Sequence, residues 1–230
     1  LNLKKVTYVN GTFVAVGTQG TIITSTDEET WTTQTSGISS NLFGVTYVNG
    51  TFVAVGQQGT IITSTDGETW TPQTNSSPHL IGVTYANGTF VAVGFSGTII
   101  TSTDGETWTT QTSGTGSHIR DVTYVNGTFV AVGHSGAIIT STDGETWTPQ
   151  TSGISSIFFG VTYGNGTFVA VGQQGTILTS EGASGIVVNN AAGLLKLNGT
   201  GTVQAARVTA ASNTGKGVQV VKSSSISDLK

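Results

Sequence analysis

Apolar residues come in runs of three to five, cut by Asn-Gly, x-x-Gly and Asp-Gly punctuation, and the runs recur as a set. Residues 44–74, GVTYVNGTFVAVGQQGTIITSTDGETWTPQT, appear five times with small changes. The Val-Thr-Tyr anchor falls at Val6, Val45, Val83, Val122 and Val161, in steps of 38 or 39 residues. A period of about 20 to 50 residues marks a solenoid, propeller or array. Within one unit, residues 45–47 open a strand A that ends at Asn49-Gly50, the pair that supplies the positive φ angles of a type I′ hairpin. Residues 51–55 return as strand B, with Phe52 and Ala54 on one pleat face and Val53 and Val55 on the other. Apolar residues on both faces predict a strand sandwiched between neighbouring sheets, the deepest of its unit. Gln57-Gln58-Gly59 makes the next reversal, and Ile61–Ser64 returns as strand C, with fewer large apolar groups and declining burial. Strand D begins at Trp70, and Pro72 assigns it to a sheet edge, because proline lacks the amide hydrogen of a central strand.

Four short antiparallel strands grading from buried to exposed, repeated at this period, describe a propeller blade. No segment has a 3.6-residue apolar rhythm, so a stack of helices is excluded. The predicted fold is all-β: a five-bladed β-propeller of four-stranded antiparallel blades over residues 1–39, 40–77, 78–116, 117–155 and 156–190, followed by a small β-rich tail, 191–230. In the fifth unit TILTSEGASGI aligns without a gap on TIITSTDGETW, placing Gly182 at the Asp66 position and Ile186 at the Trp70 position. Residues 186–190 are expected to form its strand D and complete the ring without a strand borrowed from the N-terminus.

The CD corner carries a motif, STDGETW, at residues 64–70, 102–108 and 141–147, and as STDEETW at 25–31. It resembles the Asp-box of the BNR-like propeller families, which include sialidases, sortilin-type receptors and photosystem II assembly factors; their usual Ser-x-Asp-x-Gly-x-Thr-Trp is one residue longer. The resemblance implies a propeller fold and leaves function open. Read locally, Asp27, Asp66, Asp104 and Asp143 accept backbone amides within a tight turn, while Trp31, Trp70, Trp108 and Trp147 pack against the blade with the indole donor near solvent. They are scaffold residues. As the resemblance also implies, a sialidase binds its substrate carboxylate through three arginines, whereas this chain holds only Arg120 and Arg207. No paired acid and base points to hydrolysis. The three histidines, His79, His118 and His134, lack the spacing and nearby carboxylates of a metal site. The sequence therefore predicts no catalytic residues, metal or cofactor. Asn-Gly-Thr at Asn10, Asn49, Asn87, Asn126, Asn165 and Asn198 fits both a hairpin turn and a glycosylation acceptor, and the turn accounts for its recurrence.

Charge refines this picture. The repeats hold Lys4, Lys5 and Arg120 against many carboxylates, which argues against nucleic acid as a partner. Residues 182–230 carry Lys196, Arg207, Lys216, Lys222 and Lys230 against Asp228, so a basic tail follows an acidic array. Cysteine is absent, which removes disulfides and thiolate sites; no apolar run approaches the roughly 20 residues that span a bilayer. A chain that begins with Leu1 and contains no methionine reads as a processed or excerpted product.

Differences among the repeats concentrate in two connections. The BC turns read TQG, QQG, FSG, HSG and QQG, and the DA connections read SGISSNLF, NSSPHLI, SGTGSHIR and SGISSIFF. Antiparallel order puts both on one face, opposite the Asn-Gly and Asp-Gly corners. The variable residues Phe43, Gln57, Gln58, Phe95, His118, Arg120, His134, Phe159 and Gln173 are predicted to converge near the channel mouth as a surface for a sugar or protein partner. The tail reads as short strands broken by Asn-Gly and Gly-Lys-Gly, and its Ala, Gly and Thr-rich composition resembles assembly segments of phage fibres and other appendages. It is expected to join other copies or a larger assembly. The expected function is a non-enzymatic structural or attachment protein of an extracellular appendage, cell surface or virion. The alternatives are a multivalent glycan-binding lectin and a protein-complex assembly factor.

Overall fold

In the computed structural model, residues 1–73, 77–180 and the backbone of 186–189 are described, all within one compact unit, Leu1–Gly199. The expected tail over 191–230 lies outside the described residues. Blade 1 consists of β1 (Leu3–Val9), β2 (Thr12–Gly17), β3 (Ile22–Ser25) and β4 (Thr32–Gln34). Blade 2 follows with β5 (Leu42–Val48), β6 (Thr51–Gly56), β7 (Ile61–Ser64) and β8 (Thr71–Gln73), and blade 3 with β9 (Leu80–Ala86), β10 (Thr89–Gly94), β11 (Ile99–Ser102) and β12 (Thr109–Gln111). Blade 4 is β13 (Ile119–Val125), β14 (Thr128–Gly133), β15 (Ile138–Ser141) and β16 (Thr148–Gln150), and blade 5 is β17 (Phe158–Gly164), β18 (Thr167–Gly172), β19 (Ile177–Ser180) and β20 (Ile186–Asn189). Each sheet runs A-B-C-D in chain order, antiparallel throughout. The fifth blade supplies its own strand D: β20 pairs β19, with Ile186 opposite Ser180.

The two-faced strand B does what its pattern requires. Phe52 and Ala54 pack with Val14, Val16 and Ile22 of blade 1, while Val53 and Val55 pack with Leu80, Phe90, Ala92 and Ile100 of blade 3. The same arrangement joins blade 3 to 4 and blade 4 to 5. Strand C is as deep as strand B, with Ile61 and Ile62 both buried, so burial does not decline until strand D. Having few large side chains does not expose strand C, because neighbouring blades cover both its faces too.

Among the described residues, the closed disc expected from the sequence is met at four junctions and not at the fifth. Val171 and Ile177 of blade 5 are 47% and 44% exposed, whereas their equivalents in blade 2, Val55 and Ile61, are 0% and 1% exposed. Val6 and Tyr8 of blade 1 are likewise exposed where Val45 of blade 2 is buried.

At the AB corners Asn49 and Gly50 both adopt positive φ, 48° and 88°, as a type I′ turn demands. The asparagine has a second task that the turn rule does not reveal. Its amide donates to the tyrosine hydroxyl of the next blade: Asn10 to Tyr47 at 3.2 Å, Asn49 to Tyr85 at 3.3 Å, Asn126 to Tyr163 at 2.7 Å, and Asn87 to Tyr124 likewise.

At the CD corners the local reading of the aspartates holds. Asp66 Oδ1 accepts the Glu68 and Thr69 amides, both at 2.8 Å, and the Ser64 hydroxyl at 2.9 Å, while Ser64 Oγ accepts the Gly67 amide at 2.8 Å. The tryptophan differs from expectation. Its indole N–H donates to the Gly67 carbonyl at 3.0 Å instead of facing solvent, and the ring is buried beside Phe52. Spending the indole donor locally lets the ring stay inside, since an unpartnered buried N–H is costly. Strand D then starts only at Thr71, after the tryptophan.

The amides of Thr69 and Glu68, followed by the Ser64 hydroxyl, hold Asp66 down to about 2, from an ordinary 3.8. A depressed carboxylate stabilises the fold above its unfolded value and ceases to do so as pH falls to its folded value. Asp66→Ala is expected to lower unfolding free energy at neutral pH by about 1 kcal/mol, the usual cost of losing a side-chain cap on free backbone amides. In urea titrations, the gap between wild type and variant should close as pH falls from 3.8 to about 2; a gap constant with pH would contradict this assignment.

Candidate functional site

The BC and DA connections meet on one face, as antiparallel order requires. Each BC reversal is a single 3-10 turn whose middle residue is left-handed (Gln58 φ 57°, Ser96 φ 53°, Ser135 φ 56°). The glycine that follows is compelled: Gly97 has φ 72°, and a Cβ there would collide with the Thr115 carbonyl of the DA connection. The first amide of each turn bonds the residue just before strand A of its own blade: Gln57 to Asn41 at 2.8 Å, Phe95 to His79 at 2.9 Å and His134 to His118 at 2.8 Å. The middle amide can reach the following blade, Gln19 N–H to Asn41 Oδ1 at 2.9 Å and Ser96 N–H to His118 Nδ1 at 2.8 Å. Rigid backbone thus fixes the variable side chains in a set order around the rim.

Five of the predicted residues come together, and they recruit a sixth. His79 stacks on Phe95 with ring centroids 4.8 Å apart, and Phe95 stacks on His118 at 4.3 Å. His118 meets His134 edge-on at 4.9 Å. Arg120 Nε donates to His134 Nε2 at 3.0 Å, and its guanidinium lies 5.8 Å from the Phe159 ring centre. The result is a continuous ladder, His79–Phe95–His118–His134–Arg120–Phe159, crossing blades 3, 4 and 5. Gln57, Gln58 and Phe43 lie on the blade 2 part of this face and Gln173 on the blade 5 part, outside the ladder.

Two residues of this face escape the comparison of repeats. His79 has the same repeat position as His118, so alternating rings from DA and BC connections were the available signal. Asp121 stands where the other units have Lys5, Gly44, Gly82 and Gly160. Its Oδ2 accepts the Val161 amide of blade 5 at 2.9 Å, and burial raises its pKa against that bond and the field of Lys5. Asp121 therefore ties blade 4 to blade 5 and is not part of the ladder's outer surface.

Charge divides between the two faces. Among the described residues Lys4, Lys5 and Arg120, the only cationic lysines and arginines, all sit at the starts of A strands, and every carboxylate except Asp121 sits in a CD corner. Asp121, the neighbour of Arg120 in the chain, directs its Oδ2 to the Val161 amide. His118 Nδ1 accepts the Ser96 amide and His134 Nε2 accepts Arg120 Nε. Those bonds leave His118 an Nε2–H and His134 an Nδ1–H as donors.

Burial, then the Arg120 charge, then His118 lower the His134 pKa from 6.5. Arg120→Gln is expected to raise it toward 6.5 by removing a repelling charge and the donor that favours neutral imidazole. Imidazole proton titration by NMR reads this directly; an unmoved His134 titration would separate the two residues.

The structure is similar to known propellers. YCF48 bound to D1 peptide aligns at 18% identity with a TM-score of 0.63, over 78% of this chain and 63% of that one. YCF48 from Cyanidioschyzon merolae aligns at 17% identity with a TM-score of 0.65, over 82% and 71%. The WD40 β-propeller domain of Doa1 aligns at 11% and 0.64, over 78% and 65%. The chain thus spans a little under two thirds of the first of these structures. At such identities the likeness concerns the fold. No curated protein matches. A family model described as the DUF6242 beta propeller domain matches residues 1–115, half of the sequence and the part that holds blades 1 and 2 and nearly all of blade 3. This chain belongs to the DUF6242 β-propeller domain family.

Proposed function

We propose that the chain is a non-enzymatic recognition module that binds an acidic segment of a protein partner on its BC/DA face. The observation that carries this reading is the half-buried Arg120 held in the ladder between His134 and the exposed Phe159. A guanidinium held by an imidazole on one side and an aromatic ring on the other is preorganised, and its remaining N–H groups match a carboxylate in fork geometry. Preorganisation matters because ordering a free arginine side chain on binding costs about 0.5–1.5 kcal/mol. The placement of every described carboxylate except Asp121 in the opposite CD corners supports the same choice, since the field on the BC/DA face then favours an anionic guest.

The ring geometry weighs against the glycan reading. A sugar stacks on an open aromatic face, and both faces of Phe95 are already covered by His79 and His118. Edges and N–H donors are what that part of the ladder presents, and these suit peptide backbone and carboxylate groups. One of the structural neighbours is described as bound to a peptide, which supports a peptide guest as compatible with this architecture. Attachment and assembly roles both remain consistent with such a module, because each requires a protein contact.

An array of short peptides of acidic, neutral and basic composition, printed beside a glycan array, tests the proposal. Acidic peptides should be retained by the wild type, and Arg120→Ala should weaken the best of them about tenfold or more, as expected for a lost charge-assisted bond. Retention of glycans instead, or of basic peptides, or acidic binding that survives Arg120→Ala, would overturn it.

A further inference from the structure

The faces left open on blades 1 and 5 are the two halves of one interface that the chain builds four times internally. At every internal junction the leading blade offers two valines of strand B and the first isoleucine of strand C. Between blades 1 and 2 these are Val14, Val16 and Ile22, each 0% exposed. The following blade answers with Leu42, Val45, Phe52, Ala54, Ile62 and Trp70. Blade 5 repeats the first set as Val169, Val171 and Ile177, and the last two of these are roughly half exposed. Blade 1 repeats the second set as Leu3, Val6, Phe13, Ala15, Ile23 and Trp31; of these Leu3, Val6 and Trp31 are exposed, as is Tyr8 at 60%.

We infer that these faces pair between copies, the fifth blade of one molecule taking the first blade of a second in a head-to-tail interface. Continuity with the internal junctions identifies the occupant. The TFVAVG strand is identical in all five blades, so blade 5 presents to a second copy the same surface that blade 4 presents to blade 5. The polar register is supplied as well. Asn165 has φ 50°, beside 48° to 50° in its four counterparts, and stands where each of them donates to the next blade's tyrosine; Tyr8 is the one tyrosine of the series without such a donor in its own chain among the described residues. Docking by the internal rule sets Asn165 of one molecule against Tyr8 of the second. The interface is heterologous, so it closes into a ring of copies or continues as a filament, according to the rotation per blade.

Complementation between variants of the 230-residue chain tests this pairing. Val171→Asp/Ile177→Asp disables the blade 5 face and Val6→Asp/Tyr8→Asp the blade 1 face; all four side chains are exposed in the free chain, and circular dichroism checks that each variant folds. In sedimentation experiments the wild type should self-associate as concentration rises, and each variant alone should remain monomeric. A one-to-one mixture should form a dimer and nothing larger, because one intact face survives on each partner. A monomeric wild type, which is the outcome if another part of the chain covers these faces, would overturn the inference. So would variants that assemble like the wild type, as a joint in residues 191–230 requires, or a mixture that stays monomeric.

Discussion

Everything in this molecule depends on apolar packing of blade on blade, and that packing resides in a strand with no polar face. The segment TFVAVG places Phe and Ala against one neighbour and two valines against the other, so a blade alone cannot bury its own core. Burying a Val, Leu, Ile or Phe side chain stabilises by about 1.5–3 kcal/mol, whereas a hydrogen bond such as Asn to Tyr adds about 1 kcal/mol net. The stacked apolar sets therefore hold the array, and the Asn–Tyr bonds and CD corners set its register. This also explains why strand B does not vary in sequence while the BC turns and the starts of the A strands do: a change in strand B disturbs two interfaces at once.

Freedom from that constraint is what makes the BC/DA face available for function. A BC turn is fixed by its backbone, through a left-handed middle residue, a compelled glycine and a bond to the residue before strand A, so its first side chain can change without cost to the fold. In blades 3 and 4 these free positions hold Phe95 and His134, the matching DA positions hold His79 and His118, and Arg120 stands at the start of strand A. Because each rim position lies beside the next blade's, substitutions scattered at intervals of about a repeat become one stacked ladder. The opposite face has no such latitude, for its aspartates and serines are engaged in making the corners.

The sequence was most legible where one rule acts alone. Asn-Gly dictated the hairpins, Pro72 marked the outer strand, and apolar residues on both pleat faces of strand B announced sandwiching on both sides. Legibility failed where two rules compete. Trp70 reads as the first residue of a strand, yet its indole bond to Gly67 holds it in the corner; strand C reads as half-polar, yet Thr63 and Ser64 are buried by their neighbours. Closure of the ring was not legible at all, because four similar junction patterns say how each blade meets the next and nothing about the angle between them. At the site, odd letters among the repeats identified Phe95, His118, Arg120, His134 and Phe159. The stacking order that adds His79, and the inward turn of Asp121, required coordinates.

Hydrogen exchange resolved by blade tests the packing claim most directly, at a concentration low enough to keep the chain monomeric. Strand B amides of blades 2, 3 and 4, covered on both faces, should exchange slowest and as a cooperative group, with β2 and β18 of the terminal blades exchanging earlier. Equal protection of all five strands in the monomer would contradict an account in which each blade is held by the neighbours it touches.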